Sequence, residues 1–192
     1  MTGKETKSAR ERILETAADL FYREGIRAVG VDTIIARSGV AKMSLYRNFP
    51  SKDDLVVAFL EDRNRLYWEW WDRVTARHPD RPWDQLKALF AAIAKRTTSP
   101  DFRGCPFVNT AVEFPDAAHP GRGVAEANKR EVRVRLRALA EAAGARDPEL
   151  LADQLLLVMD GAYASSQTLG SEGAGRAAAE AAAVLIEAAC GV

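Results

Sequence analysis

Between Lys42 and Lys52 the chain gathers side chains able to hydrogen-bond phosphates or base edges: Lys42, Ser44, Tyr46, Arg47, Asn48 and Lys52. Lysine and arginine bring fixed positive charge, the hydroxyls and the amide bring directional donors, and Met43 brings an apolar contact. Side chains of these kinds position a nucleic-acid backbone and read bases in a groove. The run Lys42 to about Phe49 is short, polar and basic, and Leu45 is its internal anchor. A helix of this length gains little from propensity alone. Neighbouring elements must hold it and present it outward.

The sequence supplies those neighbours. Val31 to Ser38 forms a helix with Ile34 and Ile35 inward and Arg37 outward. Gly39 ends it, because glycine enters the left-handed conformation without a Cβ penalty. Val40 plugs the corner before the second helix. Two short helices about a three-residue turn make a helix-turn-helix, the second presenting the recognition surface. Ahead of them, Ser8 to Glu24 places Ile13, Ala17, Leu20 and Phe21 at helical spacing and gives the pair an apolar floor. The arm before it (Lys4, Lys7, Arg10, Arg12) reads equally as a phosphate contact or a solvated tail. Pro50 breaks the recognition helix, and Ser51 caps a long one reaching about Arg77, with Asp53 and Asp54 in its first turn.

Composition narrows the class. The chain has 192 residues, 47% apolar and 28% charged, enough for a core and unlike a disordered protein. No apolar run approaches the roughly 20 residues that cross a membrane, so no membrane partner is expected. The first residues lack the apolar centre of a signal peptide. Cys105 and Cys190 make neither a metal-ligand spacing nor a disulfide framework, so a cytoplasmic location is expected, with no metal and no cofactor. The net charge of zero hides an asymmetry: residues 1 to 50 hold nine Lys/Arg against six Asp/Glu, the rest 18 against 21. That is a mildly basic head on an acidic body.

The body reads as wholly helical. Helices are expected over Trp83–Thr97, Phe107–Phe114, Gly123–Ala143, Pro148–Leu169 (capped by Asp147) and about Ala174–Ala189. The third carries a basic face of Lys129, Arg130, Arg133, Arg135 and Arg137. Small residues crowd the last two helices, which suits a homodimer formed through them. The expectation is an all-α protein: a three-helix head with a helix-turn-helix (residues 1–52) and a helical-bundle regulatory and dimerisation domain (residues 53–192).

The run ILETAADLFYREG through VDTIIARSGVAKMSLYRNFPSKDDL resembles the DNA-binding domain of TetR-family transcriptional regulators over about residues 8 to 60. The F-x-x-x-G helix end, the GV turn, LY-x-x-F and SK-x-x-L all occur in register. The segment GCPFVNTAVEFPD also looks like the regulatory domain of one branch of that family. The resemblance implies a homodimer on a near-palindromic double-stranded DNA operator, released by a small-molecule effector. Carried over by position, it places Lys42 and Ser44 near base edges or phosphates, Tyr46 and Arg47 on the backbone, and Lys52 on a phosphate. Gly30 stands where the family often has Ser or Thr, a role Thr33 partly replaces. Met43 replaces a small or polar residue and can meet a thymine methyl, and Asn48 stands where histidine is common.

Two further sets of residues could do chemistry. Tyr67, Trp71, Phe90, Phe107 and Tyr163, with Asn109, Glu113 and Gln167 as polar groups, could line a pocket for an apolar or amphipathic effector, although aromatics at helical spacing are more often plain core. Cys105, His119 and Glu113 contain a nucleophile, a base and an orienting group. Neither their spacing nor any glycine-rich anion loop supports an enzyme, and both histidines (His78 and His119) are expected at the surface. The other competing reading is a helical protein-interaction or DNA-platform module without an inducer.

Overall fold

The computed structural model describes residues 7–170 and 173–191. Lys4 of the basic arm lies outside them. Among the described residues there are nine helices and no strand: α1 (Ala9–Glu24), α2 (Val31–Ser38), α3 (Lys42–Asn48), α4 (Lys52–Thr75), α5 (Pro82–Thr97), α6 (Pro106–Glu113), α7 (Pro120–Ala142), α8 (Pro148–Leu169) and α9 (Ala174–Cys190). The all-α expectation holds. Boundaries shift where prolines start helices, because their missing N–H is one the first turn leaves unpaired anyway. Thus α7 starts at Pro120, three residues before Gly123.

Two compact units are present: residues up to Arg63 together with Pro106–Ala125, and Asn64–Cys105 together with the residues from Glu126 on. The sequence reading divides the chain once, after Lys52. The compact units divide it within α4, ahead of α6, and within α7.

In the first unit, α1, α2 and α3 pack on one another. A capping box opens α1: Ser8 Oγ accepts from the Glu11 N–H at 3.2 Å, and the Ser8 N–H donates to Glu11 Oε2 at 2.7 Å. Ser51 and Asp54 do the same for α4, with the Asp54 N–H donating to Ser51 Oγ at 3.0 Å. Gly39 closes α2 at φ 64° and ψ 29°, the left-handed turn expected of it. The apolar residues Ile13, Leu20, Phe21, Ile34, Leu45, Phe49, Leu55, Phe59 and Phe107 are all buried. Removing one such leucine or isoleucine side chain costs about 2–5 kcal/mol.

In the second unit, α9 packs on α5 and α8. Gly175 permits the close approach to α5, since a Cβ there would stand 2.3 Å from Thr97 Oγ1 and 2.8 Å from Ala94 Cα. The core takes Trp71, Leu86, Phe90, Val132, Leu136, Leu155, Met159 and Ile186. The basic face of α7 is not free. Lys129 pairs with Asp160, Arg130 with Glu126, Arg135 with Asp72 and Glu131, Arg133 with Glu149 and Asp153, and Arg137 with Glu149. Among the described residues no helix is long and apolar enough to cross a membrane.

Candidate nucleic-acid interface

The surface of α3 follows from its burial pattern. Leu45 is 1% exposed and fixes the helix, while Met43 is 81% and Tyr46 40% exposed. Lys42 and Arg47 are also exposed, and Ser44 and Asn48 are half-buried. The Asn48 amide donates to the Ser44 carbonyl at 2.7 Å, which orients it along the helix. The helix therefore turns one apolar side chain inward and offers a methionine, a phenol and two cations outward. Lys42 Nζ lies 3.4 Å from Asp32 Oδ1, in the first turn of α2. Thr33 is exposed in that same turn.

Neither α2 nor α3 has a side-chain cap: Gly30 and Ala41 occupy the N-cap positions without one. The first N–H groups of α2 thus gain nothing from a side-chain acceptor, and its N-terminal dipole favours an anion. Lys52 opens α4, with Nζ 5.9 Å from the centre of the Phe21 ring. Its ammonium is held below its ordinary value chiefly by burial, against the opposing fields of Glu113 and Asp53. An ammonium partly out of water gains more from a phosphate than a fully hydrated one does. Of the basic arm, Lys7 pairs with Glu15 at 2.6 Å, and the Arg10 guanidinium lies 5.1 Å from the centre of the Phe49 ring.

Two family models match this chain: bacterial regulatory proteins of the tetR family over residues 13–59, and the tetracyclin repressor-like C-terminal domain over residues 82–182. The chain belongs to the TetR family. A solved TetR-family transcriptional regulator of Streptomyces coelicolor, SCO4454, is similar at 31% identity and a TM-score of 0.91, over 95% of this chain and 96% of that one. A TetR-type regulator of Streptomyces avermitilis, sav143, is 35% identical with a TM-score of 0.85, over 95% and 98%. Among curated relatives, the uncharacterized HTH-type transcriptional regulator YxaF of Bacillus subtilis is 44% identical over 60% of this chain. The HTH-type transcriptional repressor KstR2 of Mycobacterium tuberculosis is 33% identical over 46% of it. These matches span 61% and 44% of those relatives' lengths. The family and its members are regulators, not enzymes.

The residues singled out for an effector pocket fall in both units. Phe107, Asn109 and Glu113 belong to the first; Tyr67, Trp71, Phe90, Tyr163 and Gln167 to the second. Trp71 and Phe90 are core residues. The Tyr67 hydroxyl donates to Met159 Sδ at 3.7 Å, and burial holds the phenol well above its ordinary value. Tyr163 stacks at a tilt with Phe102, ring centres 5.8 Å apart. Gln167 donates to the Arg103 carbonyl at 2.8 Å. Asn109 and Glu113 edge a recess of about 10 Å³ beside Phe21 and Phe59, and a Glu113 carboxylate oxygen accepts the Arg27 N–H at 2.8 Å. A larger cleft, about 350 Å³, is lined by Arg146, Leu150, Gln154 and Leu185 and takes none of these residues.

The set Cys105, His119 and Glu113 does not assemble within either unit: Cys105 lies in the second, the other two in the first. His119 also corrects the surface expectation. Its imidazole is largely enclosed, stacked on Phe114 with ring centres 3.7 Å apart and planes 14° apart. The α6–α7 turn that follows Pro115 folds back, so the ring stacks on Phe114 and its Nε2 comes within 3.5 Å of Asp53 in α4.

Proposed function

We propose that the chain is a ligand-responsive repressor, acting in the cytoplasm, that binds a near-palindromic DNA operator as a homodimer and lets go when a small apolar or amphipathic effector binds. Residues 1–52 read DNA in this proposal, and residues 53–192 carry regulation and dimerisation. The observation that carries it is α3, whose single buried side chain, Leu45, leaves Met43, Tyr46 and Arg47 facing out. Met43 and Asn48 contact base edges, Lys42 and Ser44 meet base edges or phosphates, and Thr33, Tyr46, Arg47 and Lys52 hold the phosphate backbone.

The homodimer is supported by α8 and α9. Leu157 is 73%, Val184 63% and Leu150 53% exposed, alongside exposed Gly161, Ala164, Ala177 and Ala181. An apolar face this extended, with small residues that allow close helix contact, matches the self-complementary patch of a two-fold dimer. The effector site is assigned to the second unit around Tyr67 and Tyr163. There a buried phenol, an aromatic pair and the Lys129–Asp160 ion pair offer both apolar and polar contacts.

The test combines two measurements on the full chain. Sedimentation should give a dimer that Leu157→Glu converts to monomer, and selection from a random-duplex library should enrich a two-fold symmetric sequence. A monomeric wild type, or a library from which nothing is enriched, overturns the proposal. Thermal-shift screening of small apolar compounds then seeks a ligand that stabilises the chain and releases the selected duplex.

A further inference from the structure

The turn between α6 and α7 is tied into the first unit more firmly than a connector needs to be. Glu113, the last residue of α6, accepts the Arg27 N–H at 2.8 Å, and its backbone carbonyl accepts from Arg27 Nη1 at 3.5 Å. Its carboxylate therefore sits against the α1–α2 turn. At the other end of the corner, His119 Nδ1 accepts the Gly121 N–H at 3.1 Å, which assigns the ring proton of the neutral imidazole to Nε2. That Nε2 is buried, has no hydrogen-bond partner, and lies 3.5 Å from Asp53 Oδ1 in the first turn of α4. Gly121 comes so close to α4 that a Cβ there would meet Val56 Cγ1 at 3.2 Å. Arg122 closes the corner on itself, donating to the carbonyls of Ala111 at 2.9 Å and Phe114 at 3.4 Å.

We propose that the α6–α7 corner is a two-point brace of the DNA-reading unit, in which Glu113 fixes the α1–α2 turn and the close packing of His119 beside Asp53 and of Gly121 on Val56 fixes the start of α4. The brace thereby sets where Lys52 stands relative to α3. This rests on the reading above, in which α3 and Lys52 touch one duplex together. The reason is geometric. The recognition helix packs on α1 and α2, so it follows the α1–α2 turn, whereas Lys52 follows the first turn of α4. A phosphate contact and a set of base contacts can be made together only if these two supports keep a fixed spacing, and a displacement of about 1 Å in such a constellation is felt. Glu113 and His119 are positioning residues; neither touches DNA.

The test uses the full chain and the duplex that wild type enriches most strongly from a random library. Glu113→Ala and His119→Phe should each weaken binding on the order of tenfold and flatten the log–log salt dependence by about one phosphate. The ranking of sequences should be unchanged. Glu113→Gln, which keeps an acceptor for the Arg27 N–H, should stay close to wild type. Lys52→Ala should cost much less in the Glu113→Ala/His119→Phe background than in wild type, a coupling that plain destabilisation does not produce. Without DNA, amide exchange at Arg27 should accelerate in Glu113→Ala and stay slow in Glu113→Gln. Unchanged Arg27 exchange in Glu113→Ala overturns the brace, as does faster exchange with affinity, salt slope and Lys52 coupling all intact. If wild type enriches no duplex, the DNA reading fails separately and the positioning role fails with it, while the exchange result still decides the Glu113 contact.

Discussion

Lys42, the first residue of the recognition helix, is tethered by its ammonium to the Asp32 carboxylate 3.4 Å away in α2. Both side chains are exposed, so the pair adds little to folding. On the interface proposed above its larger effect falls on DNA: there Asp32 places a negative charge where phosphates would approach and competes for the lysine. Asp32→Asn should tighten binding to every duplex by roughly 3–10-fold at low salt and steepen the log–log salt slope by up to about one. Fluorescence anisotropy between 50 and 200 mM salt checks it, with the thermal midpoint almost unmoved. Weaker binding would show that Asp32 helps the interface instead.

Met43 should act on sequence choice alone. Its side chain is 81% exposed, so Met43→Ala should change stability by no more than about 0.5 kcal/mol. Preference should shift at one or two base pairs per half-site, worth about 1–3 kcal/mol of discrimination each. Repeating the library selection with the variant measures this. Tyr46→Phe gives the contrast: binding should weaken alike on all sequences. Uniform loss from Met43→Ala would remove its base-reading role.

Gly30 offers a gain. It caps α2 with extended dihedrals, φ −81° and ψ 155°, and a Cβ built there meets nothing within 4 Å. Serine at this position can accept an N–H of the first turn and also narrows the unfolded ensemble. Gly30→Ser should therefore stabilise the chain by about 0.5–1 kcal/mol, raising the melting midpoint by roughly 1–4 °C. Thermal denaturation of the two proteins side by side decides it.

Part of the acid sensitivity should trace to the α7–α8 pairs, beside Glu11 and Asp101, whose carboxyls are also held low. Glu149 is held below its ordinary value chiefly by its hydrogen bond from Arg137, and Asp153 by its hydrogen bond from Arg133. Both carboxyls thus ionise more readily folded than unfolded. The stability they lend is complete above their ordinary values of 4.5 and 3.8 and is lost as pH falls through the lowered ones. A melting profile should be flat from neutrality to about pH 5 and decline below about pH 4.5. Arg133→Met and Arg137→Met together should make that decline shallower. A double variant with the same acid limb as wild type would locate the acid sensitivity elsewhere.

What the sequence made legible was local. Gly39, Leu45, Ser51 and Asp147 each announce a turn, an anchor or a cap within a few residues, and each takes that place in the structure. The partner of Glu113, Arg27, lies 86 positions away, and Asp53, the residue beside His119, lies 66 away, and no spacing rule reaches that far. The same holds for the basic face of α7. Its pairs Glu126–Arg130 and Glu131–Arg135 follow one-turn spacing, but the acids that neutralise Lys129, Arg133 and Arg137 come from α8. Fold class therefore needs only periodicity and punctuation, whereas the assignment of α6 to the first unit needs coordinates.

The bond from the Arg27 N–H to Glu113 also has a timing. During synthesis the helix-turn-helix residues emerge first, but their partner follows 86 residues later. At the usual pace of translation that is a wait of roughly 4–17 s. Phe107, buried in the finished protein, is equally late. For that interval a nascent chain carries the helix-turn-helix without the bond from the Arg27 N–H to Glu113. An excised fragment ending at Arg63 would stay permanently in that unfinished state, and a head transplanted into another regulator would have to bring residues 106–125 with it.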